Sequence, residues 1–300
     1  MQKRWLRLGI IIFVLLLLEF TLRLVGFGHM AMYYDSPLYE YALKPNQNFT
    51  RFGKHFSVNA QGMRASKLEE GEWRILKFGD SVINGGAATD QSELASEILN
   101  GRLKDFDPKA RVIQVSAGSW GPDNAFAWMQ ANGDFDAKVI ILVFSSHDWQ
   151  DHMNFQKVVG VLKYYPDQQP LFAIAGAVNW IYSRYFEKID WRAVEATATR
   201  KDSPDHNAGW DQFAQYCTQK DIAFLVYHHA SASEQFNNTY NQDGLALETH
   251  LRSIGVSTIS GIEGDFQPED FRDEIHLQAS GQAKLALQLE PYLQEILGRP

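Results

Sequence analysis

The chain lacks several features that would have pointed its chemistry elsewhere. It has one cysteine, Cys217, in 300 residues, which excludes an internal disulfide and a cysteine-built zinc site. Trp210, Phe213 and Tyr216 precede it at helical spacing, so it reads as a buried structural thiol rather than a nucleophile. There is no surplus of base: 28 lysines and arginines stand against 36 aspartates and glutamates, a formal net charge of −8. A mildly acidic chain with no basic stripe is not expected to bind nucleic acid. No internal repeat or low-complexity tract occurs, so neither a repeat array nor global disorder is indicated. What is present is core material. Hydrophobic residues make up 45% of the chain and aromatics 13%, as expected for one principal packed domain with appendages.

The N-terminus carries the first positive signal. Lys3, Arg4 and Arg7 precede an apolar run over residues 8–18, which continues, interrupted, through Phe20, Leu22, Leu24 and Val25 to Phe27. Counted to Phe27 this is about twenty residues, enough to cross a bilayer. Positive charge before the run places the N-terminus in the cytoplasm. Glu19 and Arg23 are awkward members, one helical turn apart with the acid first, and so able to pair. A cleaved signal peptide is the alternative, but its apolar region is typically shorter, and Gly26-Phe27-Gly28 is a weak cleavage site. The reading preferred is an uncleaved single-pass anchor over residues 1–28. The rest of the chain is then extracytoplasmic.

Residues 29–70 read as a turn-rich, aromatic lead-in with one short strand near 55–58. Beyond it, short apolar runs alternate with helical stretches. Strands are expected at 74–78, 111–115, 139–144, 222–227 and 256–259, and helices at 92–103, 123–131, 210–219, 244–253 and 279–297. That alternation predicts an α/β fold: three layers, α/β/α, around a mostly parallel sheet spanning residues 71–300. The stretch 153–207 breaks the rhythm. Leu171 to Tyr182, then Tyr185, Phe186 and Trp191, read as a helical insertion with an aromatic face. It packs on the sheet, caps the site, or rests on membrane or sugar.

In an open parallel sheet, ligands bind beyond the carboxyl ends of the strands. Five expected strand ends deliver polar or glycine residues to that rim: Ser81; Gly118-Ser119-Trp120-Gly121; Ser145-Ser146-His147-Asp148; His228-His229; and Asp273 with His276. A serine on a tight turn after a strand is exposed and can be aimed. A histidine three residues after an aspartate can take its proton while the carboxylate holds the ring. Ser81, His276 and Asp273 are therefore the candidate nucleophile, base and orienting acid. Asp80, Trp120, Asp148 and His228 are candidate pocket residues.

Each motif also has a plainer explanation. Gly79-Asp80-Ser81 alone is an ordinary strand-to-helix turn, because Asp and Ser cap helices. Asp273 and His276 alone are a helix-capping pair, and Pro122-Asp123 is a normal helix start. Trp120 is either a pocket wall or a packing residue. One of His228 and His229 lines the pocket, and the other is solvated or in the core. His147-Asp148-Trp149-Gln150-Asp151-His152 has metal-binding residue types, but adjacent positions on a regular backbone do not converge on one centre. No metal and no cofactor is expected.

Taken together, these blocks resemble the SGNH or GDSL hydrolases. Gly79-Asp80-Ser81 is similar to the nucleophile block, with Val82 where leucine is frequent. Ser116-Ala117-Gly118-Ser119-Trp120-Gly121 resembles the glycine block, and Asp273-Glu274-Ile275-His276-Leu277 with Ser280-Gly281 the final one. Pro45-Asn46 and Asn59-Ala60-Gln61-Gly62-Met63-Arg64 resemble membrane-anchored members tied to bacterial surface polysaccharides. The resemblance implies a flavodoxin-like sheet and an oxyanion hole from the backbone N–H groups of Ser81 and Gly121. The third block departs from the family pattern: Ser145-Ser146-His147-Asp148 stands where Gly-x-Asn-Asp is usual, so His147 would replace an asparagine donor.

The function so implied is ester hydrolysis or O-acyl transfer, with acetyl groups on an extracytoplasmic polysaccharide as the expected substrate and the bacterial inner membrane as the location. The domain would be periplasmic. Hydrolase and transferase stay open, since they differ only in the acceptor admitted. A binding or assembly factor with a decayed site is a second reading, motivated by His147. A lipid-directed esterase is a third, motivated by the aromatic insertion. The sequence carries no signal of oligomeric state.

Overall fold

The computed structural model describes residues 2–186 and 205–298; Trp191 of the expected insertion lies outside them. The central sheet has five parallel strands: β5 (Trp73–Gly79), β6 (Ala110–Ser116), β7 (Val139–Ser145), β8 (Ala223–His229) and β9 (Ser257–Ser260). Their spatial order is β6-β5-β7-β8-β9, with every neighbouring pair parallel. Numbered along the sheet this is 2-1-3-4-5, the flavodoxin-like order, whose ligand crevice opens where the strand order reverses, at the ends of β5 and β7. All five expected strands are present.

Side chains alternate strictly between the two faces, as the period of two in a strand requires. Leu76, Phe78, Ile113, Ile140, Leu142 and Val226 enter one core, beneath α4 (Pro122–Asn132), α6 (Gly209–Lys220) and α8 (Gln242–Ser253). Ile75, Val112, Val139, Ile141, Val143 and Leu225 enter the other, beneath α3 (Ala95–Leu103) and α9 (Ala279–Leu297). Every residue of β7 is buried, which is why it reads as an unbroken apolar run rather than an alternating one.

Two local expectations are corrected. The helix expected at 92–103 is split into a 3₁₀ turn, Gln91–Glu93, and α3. Asp90 caps that turn reciprocally with Glu93, and Leu94 then turns extended (φ −70°, ψ 141°), so the helix restarts at Ala95. The lead-in holds four strands, not one. β1 (Tyr33–Ser36) pairs with β2 (Glu40–Leu43), and β3 (Gln47–Arg51) with β4 (Lys54–Val58), both antiparallel. Phe52 and Gly53 link the second pair with φ +50° and +78°, the two positive values of a type I′ turn. Tyr41, Leu43, Phe56 and Met63 of this region are fully or almost fully buried and share the first core with the sheet.

At the N-terminus α1 (Gln2–Val25) has no buried residue and is long and apolar enough to cross a membrane. Within the stretch that breaks the strand–helix rhythm lies α5 (Ala173–Tyr185).

Candidate active site

The nucleophile turn follows from close packing. β5 runs beside β7, and a Cβ on Gly79 would lie 2.4 Å from the Val143 carbonyl oxygen and 2.9 Å from Ile83. Only glycine fits there. Asp80 then leaves the strand and caps α2 (Ser81–Asn84), its Oδ1 accepting the Val82 N–H at 2.9 Å. Ser81 is thereby fixed as the first residue of the helix, at the carboxyl end of β5. Arg64 steadies the loop beyond. It is fully buried, donates to the carbonyls of Asn84, Gly86 (2.7 Å) and Thr89 (3.0 Å), and lies over the Phe56 ring. Burial lowers its pKa to about 9.

Opposite Ser81 stands the segment before α9. His276 Nε2 is 2.9 Å from Ser81 Oγ, and His276 Nδ1 is 2.7 Å from Asp273 Oδ1. The tautomer that satisfies both contacts carries its proton on Nδ1 and offers the Nε2 lone pair to the serine hydroxyl. Asp273 Oδ1 also accepts the backbone N–H of His276 at 3.0 Å. Burial alone would raise the Asp273 pKa, but the His276 N–H, its imidazole and the Ile275 N–H outweigh it and hold the carboxyl below its usual range. The carboxylate is thus ionised where the ring needs it.

Several residues outside the motifs hold this segment in place. His229 Nε2 is 2.8 Å from the Ile275 carbonyl, to which it donates. Burial pushes His229 down to about 4, so it is a neutral donor at any ordinary pH. Gln282 of α9 donates to the Val82 carbonyl at 2.8 Å and accepts the Ala95 N–H at 3.1 Å, joining the histidine side of the rim to the serine side.

The other expected rim residues are arranged differently. His147, in a 3₁₀ turn after β7, is 48% exposed, with Nε2 3.5 Å from Asp148 Oδ1. Asp148 is buried and accepts the Ser145 N–H at 2.7 Å. Asp80, His147 and Asp148 bring ligand-capable atoms within 4.8 Å of one another. Burial, and next the negative charge of Asp148, push the Asp80 pKa up to about 7. The Gly121 N–H donates to Asn124 Oδ1 at 2.9 Å, closing the N-terminus of α4. Trp120 faces the core, 1% exposed, with its indole N–H on the Tyr41 carbonyl at 2.8 Å. Tyr41 in turn donates to the Gly118 carbonyl at 2.9 Å, so the lead-in braces the glycine loop.

His228 is fully buried and does not line the rim. It stacks on Tyr240 at 3.7 Å, with Nδ1 2.8 Å from Glu248 and Nε2 3.1 Å from Ser146 Oγ. At the end of β8, then, one histidine of the adjacent pair serves an internal polar network and the other supports the segment that carries Asp273 and His276.

No family model matches the chain, and no curated protein matches it. Solved structures do. TesA is 13% identical with a TM-score of 0.46, the match covering 74% of this chain and 99% of that one. A lipase/acylhydrolase from Enterococcus faecalis is 9% identical with a TM-score of 0.45, covering 74% and 95%. A catalytic mutant of Axe2, an acetylxylan esterase from Geobacillus stearothermophilus, is 12% identical with a TM-score of 0.44, covering 78% and 97%. Likeness this distant does not fix an activity.

Proposed function

We propose that this chain is a serine ester hydrolase of the SGNH/GDSL type, anchored by α1 and acting on O-acyl groups of an extracytoplasmic carbohydrate. The observation that carries the reading is the unbroken hydrogen-bonded line from Asp273 through His276 to Ser81 at the carboxyl edge of the sheet. His276 removes the Ser81 proton as Oγ attacks an ester carbonyl, and Asp273 stabilises the imidazolium that results. His276 then returns the proton to the leaving alcohol. Water attacks the acyl-serine and releases the acid; a sugar hydroxyl in the same position would make the reaction a transfer.

The tetrahedral oxyanion needs donors aimed at it. In this reading they are the Ser81 N–H, at the first position of α2, and the imidazole of His147. Gly121 contributes only if its N–H is released from Asn124. Acetylated polysaccharide as substrate and periplasmic placement of the domain rest on the sequence resemblance and on the apolar α1.

The test is covalent. A fluorophosphonate probe should label the full chain in detergent, Ser81→Ala should abolish labelling, and an aryl acetate should be turned over. A second reading, a binding or assembly factor without catalysis, is favoured by the exposure of His147 and the engagement of Gly121. A wild-type chain that neither labels nor turns over any ester would establish that second reading over the first.

A further inference from the structure

Glu19 and Arg23 are charged groups near the C-terminal end of an apolar helix, where charge is expensive unless partnered. Apart from each other, their partners lie 148 to 155 residues away in sequence. Glu19 accepts the backbone N–H groups of Ala173 at 2.8 Å and Ile174 at 3.0 Å, the first residues of α5. Arg23 donates to Glu19 at 2.7 Å and to the Leu171 carbonyl at 2.7 Å. The first N–H groups of a helix have no partners within it. Left bare in hydrocarbon, they would find no water to take their place. The ion pair satisfies the groups that would keep this chain entry out of a lipid phase.

The rest of α5 is built for the same surroundings. No charged residue occurs from Leu171 to Ser183. Phe172, Val178, Ile181 and Tyr182 are each about half exposed or more, an apolar face that water does not favour. α5 packs against the end of α1 and against Phe27 in the turn that follows it. A Cβ on Gly176 would lie 2.6 Å from the Phe27 carbonyl oxygen, and the Phe27 and Trp180 rings meet edge to face at 6.1 Å. Glu19 lies six residues before the end of α1, about 9 Å down its axis. The chain therefore reaches the level of Glu19 at Leu171–Ala173 and climbs back along α5 past Phe27.

From this geometry we infer that the uncharged segment 171–183, ending before Arg184, is a re-entrant element, inserted in the bilayer beside α1 from the side on which the folded domain sits and fastened there by the Glu19–Arg23 pair. The occupant of the exposed face of α5 is lipid. Held at two adjoining elements rather than swinging on one, the domain keeps a fixed attitude over the membrane. This rests on the reading of α1 as a membrane anchor, which the experiment below tests separately.

Single cysteines are introduced as Leu16→Cys in α1, Ile181→Cys in α5 and Leu245→Cys on the exposed side of α8. Cys217 is buried and does not compete for label. Each full-length variant is labelled with an environment-sensitive fluorophore and reconstituted into vesicles containing brominated lipid. The inference expects labels at positions 16 and 181 to lose most of their emission and the label at 245 to keep it. Quenching at 16 without quenching at 181 overturns the inference and leaves the anchor standing; a protein partner or second copy over α5 gives this same result. Quenching at neither overturns both. In a Glu19→Leu background the label at 181 should recover emission while that at 16 stays quenched. If 181 stays fully quenched, the ion pair is not the fastening.

Discussion

The two halves of the candidate site differ in how their parts are held. On the Ser81 side, every group already stands where the proposed proton transfer needs it. Ser81, His276 and Asp273 form one line, and Asp80, His229 and Gln282 hold the backbone beneath it. On the oxyanion side, the groups are turned to local duties. Gly121 closes a helix terminus, and His147 lies beside a buried carboxylate with half its surface in water. If the proposed reaction holds, proton transfer and charge stabilisation are prepared independently in this one site. The first depends on a few fixed contacts, whereas the second needs donors at a position occupied only as the oxyanion forms.

The sharpest way to break this comparison is at the nucleophile. Ser81→Ala should lower kcat for an aryl ester by on the order of 10⁴–10⁶, with KM nearly unchanged; residual turnover close to wild type would detach the aligned half from catalysis. The second break is at His147. His147→Ala should reduce kcat by about 10² if the imidazole is an oxyanion donor, while His147→Asn should keep or raise activity. Equal activity in both variants would show that the oxyanion side is built from other groups.

A smaller effect sharpens the picture of the support beneath the triad. His229→Ala should lower kcat by roughly tenfold, since misplacing a catalytic group by about an ångström has costs of this kind or larger, and His229→Gln should restore most of it by keeping a donor to Ile275. The stability of the same variants carries a pH signature. Burial lowers the His229 pKa from 6.5 to about 4, so the unfolded chain takes up the proton first. The histidine's contribution is complete above pH 6.5 and is lost as pH falls toward about 4. Urea midpoints of wild type should fall across that window more steeply than those of His229→Gln.

The least expected change is at Asp80, and it has the opposite sign. Its pKa is raised from 3.8 to about 7, so the folded chain holds a proton that the unfolded chain has lost. Wild-type stability therefore falls as pH rises from about 4 to about 7 because of this group. Asp80→Asn should be more stable than wild type near pH 8 and converge with it near pH 4. A difference that does not change with pH would mean that Asp80 ionises normally beside Asp148.

Much of this arrangement was legible in the residues because its causes are local or periodic. Strands buried on both faces announce themselves as continuous apolar runs, so β5 to β9 were readable. The spacing of Asp273 and His276 let one side chain reach the other within a single turn. What escaped notice depended on partners distant in sequence or on unusual turn chemistry. The Phe52-Gly53 turn lacks the Asn-Gly or Asp-Gly signal, so the β3–β4 hairpin was not visible. Pro122-Asp123 marked a helix start, but nothing near it said that Asn124 would take up the Gly121 N–H. His228 and His229 were indistinguishable as neighbours; alternation along β8 sends one to Ser146 and the other to Ile275. Glu19 and Arg23 looked merely tolerable until α5 was beside them.

The separation of 195 positions between Ser81 and His276 has a consequence for the newly made chain. At ribosomal speeds of about 5–20 residues per second, the serine emerges roughly 10–40 seconds before the histidine does. Throughout that interval the hydroxyl has no base and is no more reactive than any other serine. Under the proposed function, the chain is thus inert during its own synthesis, and the base meets the serine only when α9 docks and Gln282 reaches across to α2.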